Sequence, residues 1–257
     1  MIKHHIDKNG NRIAYKKVKG TRASVIFYGG FASDMNGTKA NALYDFCRKS
    51  NIELTLFDYL GHGSSSGNFI DYTISDWHEN CLEVMANLTY GKQIIIGSSM
   101  GGWLMLMTAL SMPQRVSALI GIAAAPDFTE DLIFKKLSDT QKNDLSSLGI
   151  IDFPSIEEIK PQEKLSNCSY KITRDLIEDG RKNLLLDKGN INISCPVRLL
   201  HGLNDKDVPY HYSITLAEKI TSNDVEIHLI KSAQHNMSDD YSLNIIFKTL
   251  RTCLKSN

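Results

Sequence analysis

Short segments rich in apolar residues alternate along this chain with stretches whose apolar residues recur every three or four positions. The short segments predict strands at Ser24-Val25-Ile26-Phe27-Tyr28, Ile52–Tyr59, Gln93-Ile94-Ile95-Ile96-Gly97, Val116–Ala123, Pro196–His201 and Val225–Ile230, of which Gln93–Gly97 is a short, continuous apolar run. Runs that are apolar on both faces mark strands buried within a parallel sheet. The spaced stretches predict helices at Lys39–Lys49, Ile74–Leu88, Met100–Ser111, near Tyr212–Ile220 and at Asp239–Leu254. In the second of these, Trp77, Cys81, Val84, Met85 and Leu88 line one face at helical spacing. Ile2–Ile6 and Arg12–Val18 flank a Lys8-Asn9-Gly10 turn and predict an opening hairpin. Strand–helix alternation with buried strands predicts an α/β fold with a mostly parallel, doubly wound sheet.

One stretch breaks the alternation. From Asp127 to Ser194 there are helical patterns, at Leu132–Leu137 and Ile172–Leu186, but no obvious buried strand. Loops beyond about 12–15 residues are uncommon without a function, so this stretch predicts an inserted cap at about 127–194. The 257 residues otherwise suit a single domain, since that length is near the limit for one hydrophobic core.

Charge narrows the partners. With 29 Lys+Arg against 29 Asp+Glu the net charge is +0, which leaves no electrostatic footprint for nucleic acid or an anionic membrane. No apolar run approaches the roughly 20 residues needed to span a bilayer. The start, Met1-Ile2-Lys3-His4-His5-Ile6-Asp7, lacks the apolar core of a secretory signal, so a cytoplasmic location is expected. Five cysteines (Cys47, Cys81, Cys168, Cys195 and Cys253) without a CxxC pairing read as buried free thiols. On the same grounds the Asn-x-Ser/Thr triplets starting at Asn36, Asn87, Asn167, Asn192 and Asn236 are accidents of composition.

The pattern Gly-x-Ser-x-Gly occurs at Gly63-Ser64-Ser65-Ser66-Gly67 and at Gly97-Ser98-Ser99-Met100-Gly101. An activated serine needs a strained strand-to-helix turn flanked by glycines. Only the copy at Ser99 has a strand before it and a helix after it, so Ser99 is the expected nucleophile and Ser65 a loop residue. The helix start makes the Met100 backbone N–H a donor for developing negative charge, and Phe31 N–H, after Tyr28-Gly29-Gly30, is the expected second donor. Of the eight histidines, His235 follows the last strand and a short loop, which places it at the sheet edge that also carries Ser99. It is the expected base. His62, at a strand end, is a weaker rival, and His201 is read as stabilising the Gly202 turn. The acid should lie in the loop after Pro196–His201, where Asp205 and Asp207 are not separable by spacing.

Gly97–Gly101, His201-Gly202-x-x-Asp205-x-x-Val208-Pro209 and the terminal His235 resemble the α/β-hydrolase pattern. In that family the acid is the Asp of Gly-x-x-Asp-x-x-Val-Pro, which implies Asp205. Met35-Asn36-Gly37-Thr38-Lys39-Ala40, Gly97–Leu106 and Cys195–Gly202 further resemble the mitochondrial palmitoyl-protein thioesterases, also called mycophenolic acid acyl-glucuronide esterases. The resemblance implies an α/β-hydrolase fold and hydrolysis of carboxylic esters or acyl thioesters through an acyl-enzyme on Ser99, with no cofactor. The substrate would be a small-molecule ester or an acyl-protein thioester. No mitochondrial presequence is evident, and the resemblance is weakest in the cap. No metal is expected, because no His, Cys and carboxylate cluster has ligand spacing. Two other readings stay open: an acyltransferase on the same scaffold and a catalytically inactive ligand-binding module. The cap's apolar residues, including Phe134 and Leu137, either pack it onto the sheet or line an acyl groove. Phe134 and Leu137 are the expected substrate contacts.

Overall fold

The computed structural model describes residues 1–154 and 169–254. The chain opens with β1 (Lys3–Ile6), β2 (Arg12–Val18), β3 (Ser24–Tyr28), α1 (Thr38–Ser50) and β4 (Glu53–Phe57). It continues with α2 (Ile74–Asn87), β5 (Gln93–Ser98), α3 (Met100–Ser111) and β6 (Val116–Ile122). After an insertion, β9 (Val197–Gly202), α6 (His211–Lys219), β10 (Val225–Ile230) and α7 (Asp240–Cys253) complete the main body. Eight strands form one sheet in the order β1-β2-β4-β3-β5-β6-β9-β10. The β1–β2 and β2–β4 pairs are antiparallel, and every other neighbour is parallel.

β5 and β9 are buried throughout, and β6 nearly so, because both sheet faces are covered. Ile26 and Ile95 face a cluster built with α2 and α3, including Trp77, Trp103 and Leu104. Ile94 and Ile96 face the opposite cluster, with Leu43 and Cys47 of α1 and Ile246 and Leu250 of α7. Strand order reverses between β3 and β5, and in open parallel sheets the crevice beyond the carboxyl ends at such a point holds ligands.

The insertion differs from expectation in two places. It holds α4 (Asp139–Leu148) and a two-stranded antiparallel sheet, β7 (Ile150–Pro154) with β8 (Ser169–Thr173), followed by α5 (Arg174–Lys182). The helix expected from Ile172 therefore starts only at Arg174. Thr173 is extended, and its hydroxyl accepts the Leu176 N–H at 3.1 Å, which caps the helix there. The helix expected at Leu132–Leu137 is instead a wide π-helical turn, Thr129–Ile133, running into a 3₁₀ turn, Phe134–Lys136. Residues 155–168 of the expected cap, with Cys168 and Asn167, lie outside the described residues. Of the other cysteines, Cys47, Cys81 and Cys253 are buried free thiols, whereas Cys195 is half-exposed. No helix among the described residues is long and apolar enough to cross a membrane.

Candidate active site

Ser99 sits between β5 and α3 with φ 55° and ψ −120°, a conformation that a side-chain-bearing residue adopts only under constraint. The constraint is visible. Ser99 N–H donates to Ile122 O at 2.9 Å, and its carbonyl accepts from Gly102 N–H at 2.8 Å and Ala125 N–H at 3.1 Å. A Cβ on Gly97 would strike the Gly101 carbonyl, and one on Gly101 would strike the Tyr28 carbonyl. Both flanking glycines are thus required by close backbone approach, and the turn holds the serine side chain at the sheet edge.

The loop after β10 brings His235 to Ser99, with Nε2 3.1 Å from the hydroxyl oxygen. Its Nδ1 lies 2.8 Å from Asp205 Oδ2, in the loop after β9. An ionised carboxylate can only accept, so Nδ1 carries the proton and Nε2 offers a lone pair to the serine. The Asp205 side chain is fully buried. Burial alone would raise its pKa, but hydrogen bonds from His201 and His235, the charge of His235 and the Val208 N–H hold it well below the usual carboxylate range. Its Oδ1 also accepts from the N–H groups of Asp207 at 2.9 Å and Val208 at 2.8 Å.

His201 does more than the turn role expected of it. It is completely buried, and its Nε2 lies 3.2 Å from Asp205 Oδ2 and 2.9 Å from Val208 O. Two acceptors around one nitrogen require Nε2–H to be the donor, while Nδ1 faces the Ser213 hydroxyl at 2.8 Å. His201 therefore fixes the same carboxylate that fixes His235. Sequence spacing carries no signal for this bond, because only the fold of the loop after β9 brings His201 and Asp205 together.

The Gly29-Gly30 turn packs against Ser99: a Cβ on Gly30 would lie 3.4 Å from the Ser99 Cβ. Among the described residues neither Phe31 N–H nor Met100 N–H has a hydrogen-bond acceptor. The Phe31 ring is wedged among Phe69, Trp77, Phe128 and Tyr170, with centroids 4.9–5.9 Å away. A cleft of about 460 Å³ opens over Ser99 and His235. Its apolar wall is Phe31, Phe128, Leu132, Ile133, Phe153 and Tyr170; Ser33, Asp34, Thr38, Asn236 and Ser238 form a polar one.

Phe134 and Leu137, the expected substrate contacts, are not part of this lining and are corrected. The π-helical turn contains more residues than an α-turn, so Leu132 and Ile133 reach the cleft. Phe134 instead lies under the Arg181 guanidinium, 4.1 Å from its ring centroid, and Leu137 is buried in the core. Ser65 is a loop residue as expected: its hydroxyl donates to Asp58 O at 2.7 Å and accepts from Ala14 N–H at 2.9 Å. One cluster has ligand spacing that the sequence hid, because Asp205, Asp207 and His235 offer ligand atoms within 4.8 Å of one another. Two of its three members are already engaged with each other.

Residues 19–241 match the family model described as serine aminopeptidase, S33. The chain belongs to this family. Its members carry the α/β-hydrolase fold, and the chain is a hydrolase of that fold. It is 37% identical over 238 residues to the bovine and human proteins named palmitoyl-protein thioesterase ABHD10, mitochondrial, covering 93% of this chain and 75% of theirs. The solved mouse α/β hydrolase domain-containing protein 10 superposes with a TM-score of 0.88 at 32% identity, covering 100% of this chain and 99% of the mouse chain. A putative hydrolase from Agrobacterium vitis S4 matches as well, at 34% identity and a TM-score of 0.88, with 99% of each chain covered. The relatives' mitochondrial names point away from the cytoplasmic location expected from sequence, and that expectation is withdrawn. It rested on the absence of a secretory-type apolar core in the first residues, which does not bear on import into other compartments.

Proposed function

We propose that this hydrolase cleaves acyl thioesters and carboxylic esters through an acyl-enzyme on Ser99. The single observation that carries the reading is the run of contacts Ser99–His235–Asp205, at 3.1 and 2.8 Å, beneath a cleft with one apolar and one polar wall. Ser99 Oγ attacks the acyl carbonyl while His235 Nε2 takes its proton; Asp205 orients the imidazole and stabilises its charged form. The N–H groups of Met100 and Phe31 hold the tetrahedral oxyanion. His235 then gives the proton to the departing thiolate or alkoxide, and water repeats the sequence on the acyl-enzyme. No cofactor enters these steps.

The apolar wall suits an acyl chain, and the polar wall suits the leaving group of a small ester or an acylated protein. Relatives named palmitoyl-protein thioesterase support a long acyl group. We assign the insertion at about 127–194 the role of a cap, since Phe128, Leu132 and Ile133 from its first turns supply part of the apolar wall. Hydrolysis of a thioester series from acetyl to palmitoyl, with Ser99→Ala as control, tests the reading. Turnover that survives Ser99→Ala would overturn it.

A further inference from the structure

We propose that the loop Asp58–Gly67, which carries the other Gly-x-Ser-x-Gly copy, braces the oxyanion turn, with His62 as its positioning residue. The proposal rests on the reading of Ser99 as nucleophile and Phe31 N–H as an oxyanion donor. Three contacts run from this loop to the segment after β3. Tyr59 O–H donates to Gly29 O at 3.2 Å. His62 Nε2 accepts from Ala32 N–H at 3.2 Å. Asp58 Oδ1 accepts from Met35 N–H at 2.7 Å. The first two fall on either side of Phe31, and the third anchors the turn where it runs on toward α1.

Ala32 has φ 55°, a left-handed conformation that an alanine adopts only when its surroundings impose it. Among the described residues, the bond from its N–H to His62 is the one hydrogen bond from that residue to another part of the fold. His62 is built to accept it. Its Nδ1 lies 3.3 Å from Leu60 O, which places the proton there and leaves Nε2 bare. Burial pushes its pKa down to about 4, so the ring is neutral wherever a histidine base could work. Phe69, Trp77 and Tyr59 surround the ring edge to face, at centroid distances of 5.0, 5.1 and 5.4 Å, and fix its orientation.

The loop is itself tied down. Besides the Ser65 contacts, Ser66 Oγ accepts from Arg12 N–H at 2.9 Å, and Asp58 Oδ2 accepts from Ser64 N–H at 2.8 Å. The serines of the Gly63–Gly67 copy thus fasten a plank from β2 to the oxyanion turn. That accounts for a glycine-serine loop which the hydrolytic steps themselves do not use. An oxyanion donor acts only when aimed at the place where charge develops, so loss of the brace should appear in the transition state and not in substrate binding.

The experiment compares His62→Phe, His62→Gln and Tyr59→Phe with the wild type on a thioester substrate and an acyl trifluoromethyl ketone. The ketone forms a tetrahedral adduct with the serine, and its oxyanion reports the donors directly. Wild-type turnover, adduct formation and their loss in Ser99→Ala test the underlying reading separately. His62→Phe keeps the ring packing without an acceptor; kcat is expected to fall roughly 10–100-fold, short of the 10²–10³ of a deleted donor, with KM little changed. The inhibition constant of the ketone should weaken by the same factor. His62→Gln, which restores an acceptor, should recover most of both. Tyr59→Phe removes one hydroxyl and should show a smaller loss in the same direction, also if His62→Phe fails to fold. Wild-type kcat and ketone affinity in His62→Phe or Tyr59→Phe overturn the proposal. So does a loss that His62→Gln fails to repair.

Discussion

Asp205 receives hydrogen bonds from two imidazoles and two backbone N–H groups while shut away from water. Asp205→Asn should lower kcat by roughly 10³–10⁴, because an amide no longer holds the His235 tautomer, whereas Asp207→Asn should cost only a few-fold. Steady-state kinetics on one thioester decides this; equal modest losses would return the acid to Asp207. The same residue carries a stability prediction. Its folded-state pKa is depressed below the roughly 3.9 of an unfolded aspartate, so its stabilisation is present above that pH and is lost as pH falls further. Denaturant titrations should show Asp205→Asn less stable by about 1–3 kcal/mol at pH 7, with the gap closing only below about pH 4. At this scale Ser99 and His235 were legible because their local grammar, a glycine-flanked turn and a loop after the last strand, is contiguous in sequence. Asp205 was separable from Asp207 only through family resemblance. The bond from His201 was not legible, since it depends on how the 201–208 loop folds back over its own strand.

Between residue and fold stands the segment that enters the insertion. Asp127, with φ 60°, accepts the N–H groups of Leu185 at 2.8 Å and Leu186 at 2.7 Å, so one buried carboxylate ties the insertion's entry to its exit. Burial raises its pKa to about 6, against the hydrogen bonds from Leu186 and Leu185. A raised carboxylate pKa takes stability away as pH climbs from about 4, and the loss is complete above about 6. Asp127→Asn should flatten that part of the stability profile, a slope of roughly 2–3 kcal/mol in denaturant titrations between pH 4 and 7. An unchanged profile would show that Asp127 is not the group responsible. Acyl selectivity belongs to the adjoining turn. Each buried methylene contributes about 0.8 kcal/mol, so four more carbons in the cleft should raise kcat/KM by roughly two orders of magnitude. Phe128→Ala and Leu132→Ala should cut that gain about tenfold, and Phe134→Ala should leave it intact. Measuring kcat/KM from acetyl to palmitoyl thioester in all three variants checks this, and a flat wild-type series would remove the acyl role from the cleft. Helical spacing pointed to Phe134 and Leu137 because it assumes a constant 3.6-residue turn. The π-helical turn breaks that period without any glycine or proline to announce it.

Across the whole molecule, the insertion is joined to the sheet body by more than its two ends. Trp103 of α3 donates its indole N–H to Asn183 O at 3.2 Å. Ser75 of α2 gives its N–H and its hydroxyl to the two Asp179 carboxylate oxygens, each at 2.8 Å. Leu132, Ile133, Leu137, Ile172, Leu176 and Ile177 belong to the same buried cluster as Trp77 and Trp103. This is why the strands of the main sheet could be read from the sequence while the insertion could not. Strands covered on both faces are mostly apolar, but among the described residues β7 and β8 pair only with each other, and their composition is mixed. A shared core predicts a shared fate on unfolding, with the insertion as part of one cooperative unit. Urea unfolding followed by tryptophan fluorescence and by far-ultraviolet circular dichroism should give coincident single transitions. Trp103 makes the test sensitive, because an insertion that opened first would expose the indole at its Asn183 contact while the sheet remained intact. Hydrogen exchange adds an independent view: the amides of α5 should exchange with the same free energy as those of β5. A fluorescence midpoint at clearly lower urea, together with early exchange confined to 169–183, would instead make the insertion a separate domain resting on the sheet.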